Sequence, residues 1–340
     1  MYSSKPILVT GSHRSGTTWV GRMLAASPGV AYIGEPFRID HDIGTCNARF
    51  DRWFTYICER NGHEYYEPIK DTIGFRYNLF GKLRLSGHPR SSLRELRRYL
   101  RWLECRVLNI RTLIRDPIAV FSAEWLSAKF NTDTIVMIRH PAAFAGSLKV
   151  KHWTHPFSHF LEQPLLMEDH LFPFEDEIRY FAEKDRDIVD QAALLWKLIH
   201  YMILKFRRAH PEWIFVRHED LSRSPQDGFN SLFGRIGLEF TEHVAEVVSR
   251  HSSADDSAPP KSRDYWGNIQ KDSASNIWNW KSRLAPAEIR RVRAQVEDVS
   301  REFYSDEDWR MDEPGSGTAP SSRRQFSPAP LFPPSARLRG

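Results

Sequence analysis

The sequence predicts an α/β fold of three layers, a central parallel sheet flanked by helices, and three observations predict it. Short apolar or β-branched runs end abruptly and pass straight into helical periodicity, the rhythm of a parallel sheet. One run, Ile135 to Ile138, is apolar without a break, as a strand covered on both faces requires. The chain has 340 residues, 41% hydrophobic and 27% charged, enough to bury one large core. Strands are expected near 6–10, 30–33, 134–139 and 213–217, and the clearest helices near 17–26, 185–209 and 286–302.

The first strand, Ile7 to Thr10, breaks at Gly11. Thr17 to Ala26 then carries Trp19, Val20, Met23 and Leu24 at helical spacing. Such a strand, small-residue loop and helix point backbone N–H groups and a positive helix end at an anion. Gly11 and Gly16 match the glycines of G-x-x-x-x-G-K-[ST], so the expected fold is P-loop-like, but Thr17 stands at the lysine position. A nucleoside triphosphatase without that lysine lacks a cation on its transferred group. Here the positive charge sits inside the loop, at Arg14. The loop reads as a phosphate cradle for a different nucleotide, with a small-molecule kinase and a catalytically silent nucleotide binder as the rivals.

Thr134 to Lys149 is a second strand-to-helix unit. Pro141 suits the first helical position, where its missing N–H is harmless. Arg139 then lies at the carboxyl end of a strand, with Ser147 two turns into the helix. A guanidinium fork and a hydroxyl from these positions can converge on a phosphate.

His13-Arg-Ser-Gly-Thr-Thr-Trp19 is similar to the 5′-phosphosulfate loop of sulfotransferases, enzymes that use 3′-phosphoadenosine 5′-phosphosulfate (PAPS). Carbohydrate and many bacterial members of that family carry arginine where cytosolic members carry lysine. Arg139-His-Pro141 with Ser147 resembles the family's 3′-phosphate site. The resemblance covers roughly residues 6–38 and 110–302. It implies in-line transfer of a sulfuryl group from PAPS to a hydroxyl or amine, with 3′,5′-adenosine bisphosphate (PAP) released and no metal required. It places Ser12, His13, Arg14, Ser15, Gly16, Thr17 and Thr18 around the donor, and Arg139 and Ser147 on its 3′-phosphate.

Trp213 to Pro225 resembles the family's strand ending in Tyr-Glu-Asp-Leu. His218 stands at the tyrosine and takes its place among the nucleotide contacts, while Glu219 and Asp220 brace the fold. Lys271 to Lys281 resembles the loop that closes over the 3′-phosphate, with Lys271, Ser273 and Ser275 as donors in place of the absent Arg-Lys-Gly triplet. A lid of about 251–276 is expected there.

Cytosolic relatives take the acceptor proton with a histidine from the segment matching Leu113 to Pro117, which contains none here. Carbohydrate and bacterial relatives use a carboxylate, and Gly34-Glu-Pro-Phe37 lies where theirs does. Glu35 is therefore the expected base and Asp116 the second choice, with Arg115 adding charge on the acceptor side. Arg14, the N–H groups of residues 12–18 and the hydroxyls of Thr17 and Thr18 would meet charge growing on the departing oxygen. Plainer readings stay open. Glu35 suits a strand-end carboxylate holding arginines, and Asp116-Pro117 an ordinary Asx-Pro turn.

No apolar run approaches the ~20 residues of a membrane span. The first strand begins at residue 6, so no signal peptide is expected, and three cysteines without a Cys-x-x-Cys pair suit a reducing cytoplasm. No nucleic-acid recognition module is visible. Residues 1–312 are expected to form the catalytic domain, with an acceptor-binding helical insert at about 38–111. Residues 313–340, rich in Pro, Gly and Ser, are expected to be disordered. Within the insert, 88–106 is a basic amphipathic helix with Leu93, Leu96, Leu100 and Leu103 at helical spacing. Its readings are a solvated charged face, a surface that gathers an anionic small-molecule, lipid or glycan acceptor, or a contact with an anionic membrane surface.

Overall fold

The structure, a computed structural model, describes residues 5–85, 89–252 and 275–310, with the side chains of 85, 89–91, 275 and 276 left aside. Five parallel strands form one sheet: β1 (Ile7–Gly11), β2 (Val30–Gly34), β3 (Arg111–Arg115), β4 (Asp133–Ile138) and β5 (Ile214–Arg217), in the order β2-β3-β1-β4-β5. Ile7 pairs with Leu113 on one side and Asp133 on the other, which makes β1 the central strand.

Alternation along the strands sorts the side chains into two cores. Ile7, Val9, Leu113, Ile135 and Met137 pack under the helices at Thr17–Leu24 and 218–252. Leu8, Ile114, Val136 and Ile138 pack against the helices Pro141–Lys151, Ile188–Ala209 and Pro286–Ser300. The three layers are thus the product of a two-residue period in the strands and apolar stripes on the helices.

The four strands expected from sequence all form. The fifth, β3, lies between β2 and β1 and was not expected as a strand. Arginines at both ends disguise it. Arg111 turns out of the sheet to Asp133 and to the carbonyl oxygens of Lys5 and Ile236, while Arg115 turns out at the other end. Only Leu113 and Ile114 between them read as apolar.

The insert holds α2 (His63–Ile73), α3 (Leu79–Leu85) and α4 (Pro89–Val107), after α1 (Thr17–Leu24). In α4 the arginines Arg94, Arg97, Arg101 and Arg106 are exposed, but the leucines are exposed as well. Its inward face carries Glu95, Arg98 and Trp102, and its leucines point outward. Among the described residues, no helix is long and apolar enough to cross a membrane. The tail 313–340 and most of the expected lid, residues 253–274, lie outside the described residues.

Candidate active site

Ligands of such sheets lie at the carboxyl ends of the strands, where the order reverses. Here β1 and β4 end side by side, and their following loops meet. Gly11 leaves β1 at φ +123°, and a Cβ there would strike the Met137 carbonyl of β4. Gly16, at φ +90°, opens α1, where a Cβ would lie 2.6 Å from His218 Nδ1. Between them Arg14 holds φ +62°, a left-handed backbone that a non-glycine residue adopts at some cost. This chain of turns aims the loop N–H groups and the α1 N-terminus at one point.

The side chains meet as well. Arg14 Nε donates to Ser147 Oγ at 2.9 Å, joining the first loop to the helix Pro141–Lys151. Arg139 donates through Nη1 to the Arg14 carbonyl, while its Nε is enclosed and has no hydrogen-bond partner among the described residues. Burial holds the Arg139 guanidinium down to about 10, opposed by Glu219 and reinforced by Arg14 and Arg283. Arg14 is likewise lowered by burial and by Arg283. The Arg14 and Arg139 side chains therefore lie together, with Arg283 near enough to disfavour both charges, and an anion there would relieve that repulsion. Ser12 Oγ is also buried and unpartnered. Ser15 Oγ instead bonds back to the Ser12 carbonyl, Thr17 is buried, and Thr18 is half-exposed. Arg283 was not expected from sequence; it sits on the short helix Trp280–Arg283, beyond a segment with no apolar rhythm to place it.

The turn after β4 is clamped from three sides. Trp196 Nε1 donates to the Arg139 carbonyl at 2.8 Å, the His140 N–H donates to Glu219 at 2.9 Å, and Tyr304 donates to the same carboxylate at 3.0 Å. Glu219 thus braces the fold. His218 lies behind the loop, buried against Gly16 with Trp19 edge-on at 6.0 Å, and burial pushes its imidazole down to about 3. Its ring reaches the backbone of the loop rather than open space. Lys271 lies outside the described residues, as does the side chain of Ser275.

Glu35 follows β2 at φ +50°, its N–H bonded to the Arg115 carbonyl at 2.9 Å. One carboxylate oxygen accepts from Arg115, which is anchored by Tyr32 at 2.7 Å; the other accepts from Arg38 at 3.1 Å. Arg115, expected to face the transferred group, is instead committed to Glu35 and Tyr32. Burial lowers its basicity, but those two partners raise it by more.

Asp116, the second candidate for the base, is fully buried. Its Oδ2 accepts from the Phe37 N–H at 2.7 Å and its Oδ1 from the Ile118 N–H at 2.9 Å. Burial pushes the carboxyl up to about 7, and the Phe37 N–H and Arg115 counter this only in part. An acceptor would have to open those bonds to meet this group, which in the structure ties the Glu35–Phe37 turn to β3.

Glu35 opens onto a cavity of about 540 Å³. Trp53, Phe54, Ile118, Leu148 and Leu195 supply apolar wall, and His13, Arg38, Trp153 and His155 polar or amphipathic surface. His13 lies edge-on to Phe144 at 4.8 Å, and the Arg14 guanidinium sits 5.5 Å from the Trp153 ring centre. Burial pushes His13 down to about 3 and His155 well below the usual range, so both stay neutral. His155 and Trp153 escaped the sequence reading because they follow the helix in a stretch without period or motif.

No curated protein matches the chain. Among solved structures it is similar to the sulfotransferase domain of the olefin synthase from Synechococcus PCC 7002, at 15% identity over 90% of this chain and 97% of that one, with a TM-score of 0.47. The sulfotransferase domain of the curacin biosynthetic pathway is similar at 15% identity over 87% and 99%, TM-score 0.47. Mouse sulfotransferase SULT7A1, solved with PAP, is similar at 10% identity over 88% and 86%, TM-score 0.43. A family model described as the sulfotransferase family matches residues 6–242, more than half of the chain, and the chain belongs to that family.

Proposed function

We propose that this sulfotransferase takes its sulfuryl group from PAPS, without a metal, and passes it to a hydroxyl or amine on a molecule with an apolar body. The observation that carries the donor assignment is the linkage of the two loops, Arg14 to Ser147 and Arg139 to the Arg14 carbonyl, with Arg139 Nε and Ser12 Oγ buried and without a hydrogen-bond partner among the described residues. Buried donors without partners are costly unless a ligand completes them. Bound PAPS would supply an activated sulfuryl group on a phosphate leaving group. The loop N–H groups, Arg14 and the hydroxyls of Thr17 and Thr18 would stabilise negative charge at the 5′ side, and Arg139, Ser147 and Arg283 would hold the 3′-phosphate.

Glu35 is the proposed base. Arg115 fixes one oxygen, and the half-exposed Arg38 can leave the other free to take the acceptor proton. The apolar walls around Trp53, Phe54 and Leu195 favour an alcohol, phenol or lipid-like acceptor over a highly charged glycan. A cytoplasmic setting belongs to the same proposal, and the three free cysteines agree with it.

Thermal unfolding with ligands tests the donor assignment. Micromolar PAP binding stabilises the chain by about 4 kcal/mol at a thousandfold excess over Kd, with or without EDTA. An equal or larger shift with ATP that requires Mg²⁺ would refute it in favour of a kinase. PAP binding without transfer to any member of an alcohol and phenol panel would instead point to a silent binder.

A further inference from the structure

The helix α4 is turned inside out relative to the usual amphipathic arrangement. Its inward face is polar and aromatic. Glu95 accepts from Tyr77 OH, Arg98 donates to Asp42, and Trp102 lies edge-on to Phe75 and Tyr77 at 5.7 and 5.4 Å. Lys82 adds a second cation to Asp42 at 3.1 Å. These contacts, with Glu95 fully buried among them, settle which face the body takes. The opposite face then presents Leu93, Leu96, Leu100, Leu103 and Val107 to solvent, from 38% exposed at Leu103 to 69% at Val107.

Those five residues follow one another at steps of three, four, three and four, the a and d positions of a heptad. A helix of 19 residues is about 28 Å long, so the seam runs nearly its whole length. A strict a/d seam is narrower than the stripe of a surface helix and is matched to one partner helix.

The flanking charges choose the orientation. With Leu93 at position a, the e positions are Arg97 and Glu104, and the g positions Tyr99 and Arg106. In a parallel pair, e meets g, which sets Glu104 against Tyr99 and forms no ion pair. In an antiparallel pair, e meets e and g meets g. Arg97 then faces Glu104 of the second copy, twice by symmetry, and Arg106 lies over the Tyr99 ring of the second copy. The surface is complementary to itself, as a twofold contact requires.

We propose that α4 is a homodimerisation helix, pairing antiparallel with α4 of a second copy of this chain. Leu100 and Leu103 lie nearest the twofold axis, and Leu96 meets Val107 on either side. Of the other basic residues, Arg94 and Arg101 project to one side of the seam and stay in water. This contact is independent of the donor and acceptor assignments above. A single helix pair of this length lies at the low end of specific interfaces, on the order of 1,200 Å² in total, so the dimer depends on concentration.

Sedimentation equilibrium of the full chain from about 1 to 100 µM, the range of such an interface, is the test. The wild type is expected to pass from monomer to dimer. Leu100→Glu should weaken association at least about a hundredfold, because it buries a carboxylate in the seam. At about 1 µM, where the chain is expected to be monomeric, its thermal midpoint should not fall, since Leu100 is more than half exposed in the single chain. Arg97→Glu should weaken association roughly tenfold, and the double variant Arg97→Glu/Glu104→Arg should restore it to within about threefold. A monomer throughout, or dimerisation unaffected by Leu100→Glu, would overturn the proposal. So would failure of the double reversal to restore pairing. Recruitment of a monomeric wild type to phosphatidylglycerol vesicles, lost in Leu100→Glu, would overturn it in favour of a lipid-facing helix.

Discussion

Replacing Asp116 by asparagine separates a carboxylate that positions the site from one that reacts. In the native chain both oxygens accept from backbone N–H groups, Phe37 at 2.7 Å and Ile118 at 2.9 Å, in a fully buried setting. Asparagine keeps one acceptor and turns its NH₂ toward the other donor. One backbone N–H and the amide group then lack partners, at about 1–3 kcal/mol for each unmatched group. Part of this is offset, because a carboxyl pushed up to about 7 is itself strained by burial when ionised at pH 8. A net loss of about 2 kcal/mol follows, a drop of roughly 3 °C in thermal midpoint for a chain of this size. Nucleotide affinity should hold, because Asp116 touches none of Arg14, Arg139 or Ser147. Glu35→Gln behaves in the opposite way. It removes proton acceptance from a group at the cavity wall, so kcat should fall by about 10²–10⁴ with a smaller change in stability. Urea unfolding at pH 8, together with initial rates from labelled PAPS on a phenol and alcohol panel, measures both variants. If Asp116→Asn abolishes turnover at native stability while Glu35→Gln stays active, the assignment of the base to Glu35 is wrong.

Further outcomes follow from the same geometry. Arg139→Ala should weaken PAP binding by about 2–4 kcal/mol, with the loss shrinking for a probe without the 3′-phosphate; equal losses by calorimetry with both probes would show mere damage to the fold. Gly16→Ala should lose nucleotide binding, because the Cβ meets His218 and the backbone sits at φ +90°; unchanged PAP affinity would contradict the loop assignment. Acid should unfold the chain early. Burial holds His13, His140, His200 and His218 down to about 3 and His155 well below its usual range, so their stabilising effect is complete above about pH 6.5 and is lost as pH falls toward 3. Asp116 runs the other way, favouring the fold below about pH 4 and losing that contribution as pH rises through 7. Near pH 5 the histidines outnumber Asp116, so stability should fall as pH falls, and a flat urea midpoint from pH 7 to 5 would refute it.

The sequence by itself determined the sheet-and-helix architecture and the two loops that meet at the carboxyl ends of β1 and β4. Both are local: the apolar runs carry their own period, and Gly11, Gly16, Arg139 and Pro141 act through backbone geometry within a few residues. The bond between Arg14 and Ser147, 133 residues apart, was not legible, although each lies in its own legible motif. Tertiary structure decided what spacing cannot carry. The strand Arg111–Arg115 is hidden by arginines whose guanidiniums leave the sheet at its two edges. Glu35 and Asp116 are both carboxylates near strand ends, and only their surroundings divide them, one opening on a cavity and the other enclosed by two N–H groups. Arg283 and His155 reach the site from segments without motif. In α4 the periodicity announces two faces but not which one turns inward. Asp42 and Tyr77, remote in sequence, settle that by satisfying Arg98 and Glu95, and so leave the leucines outside.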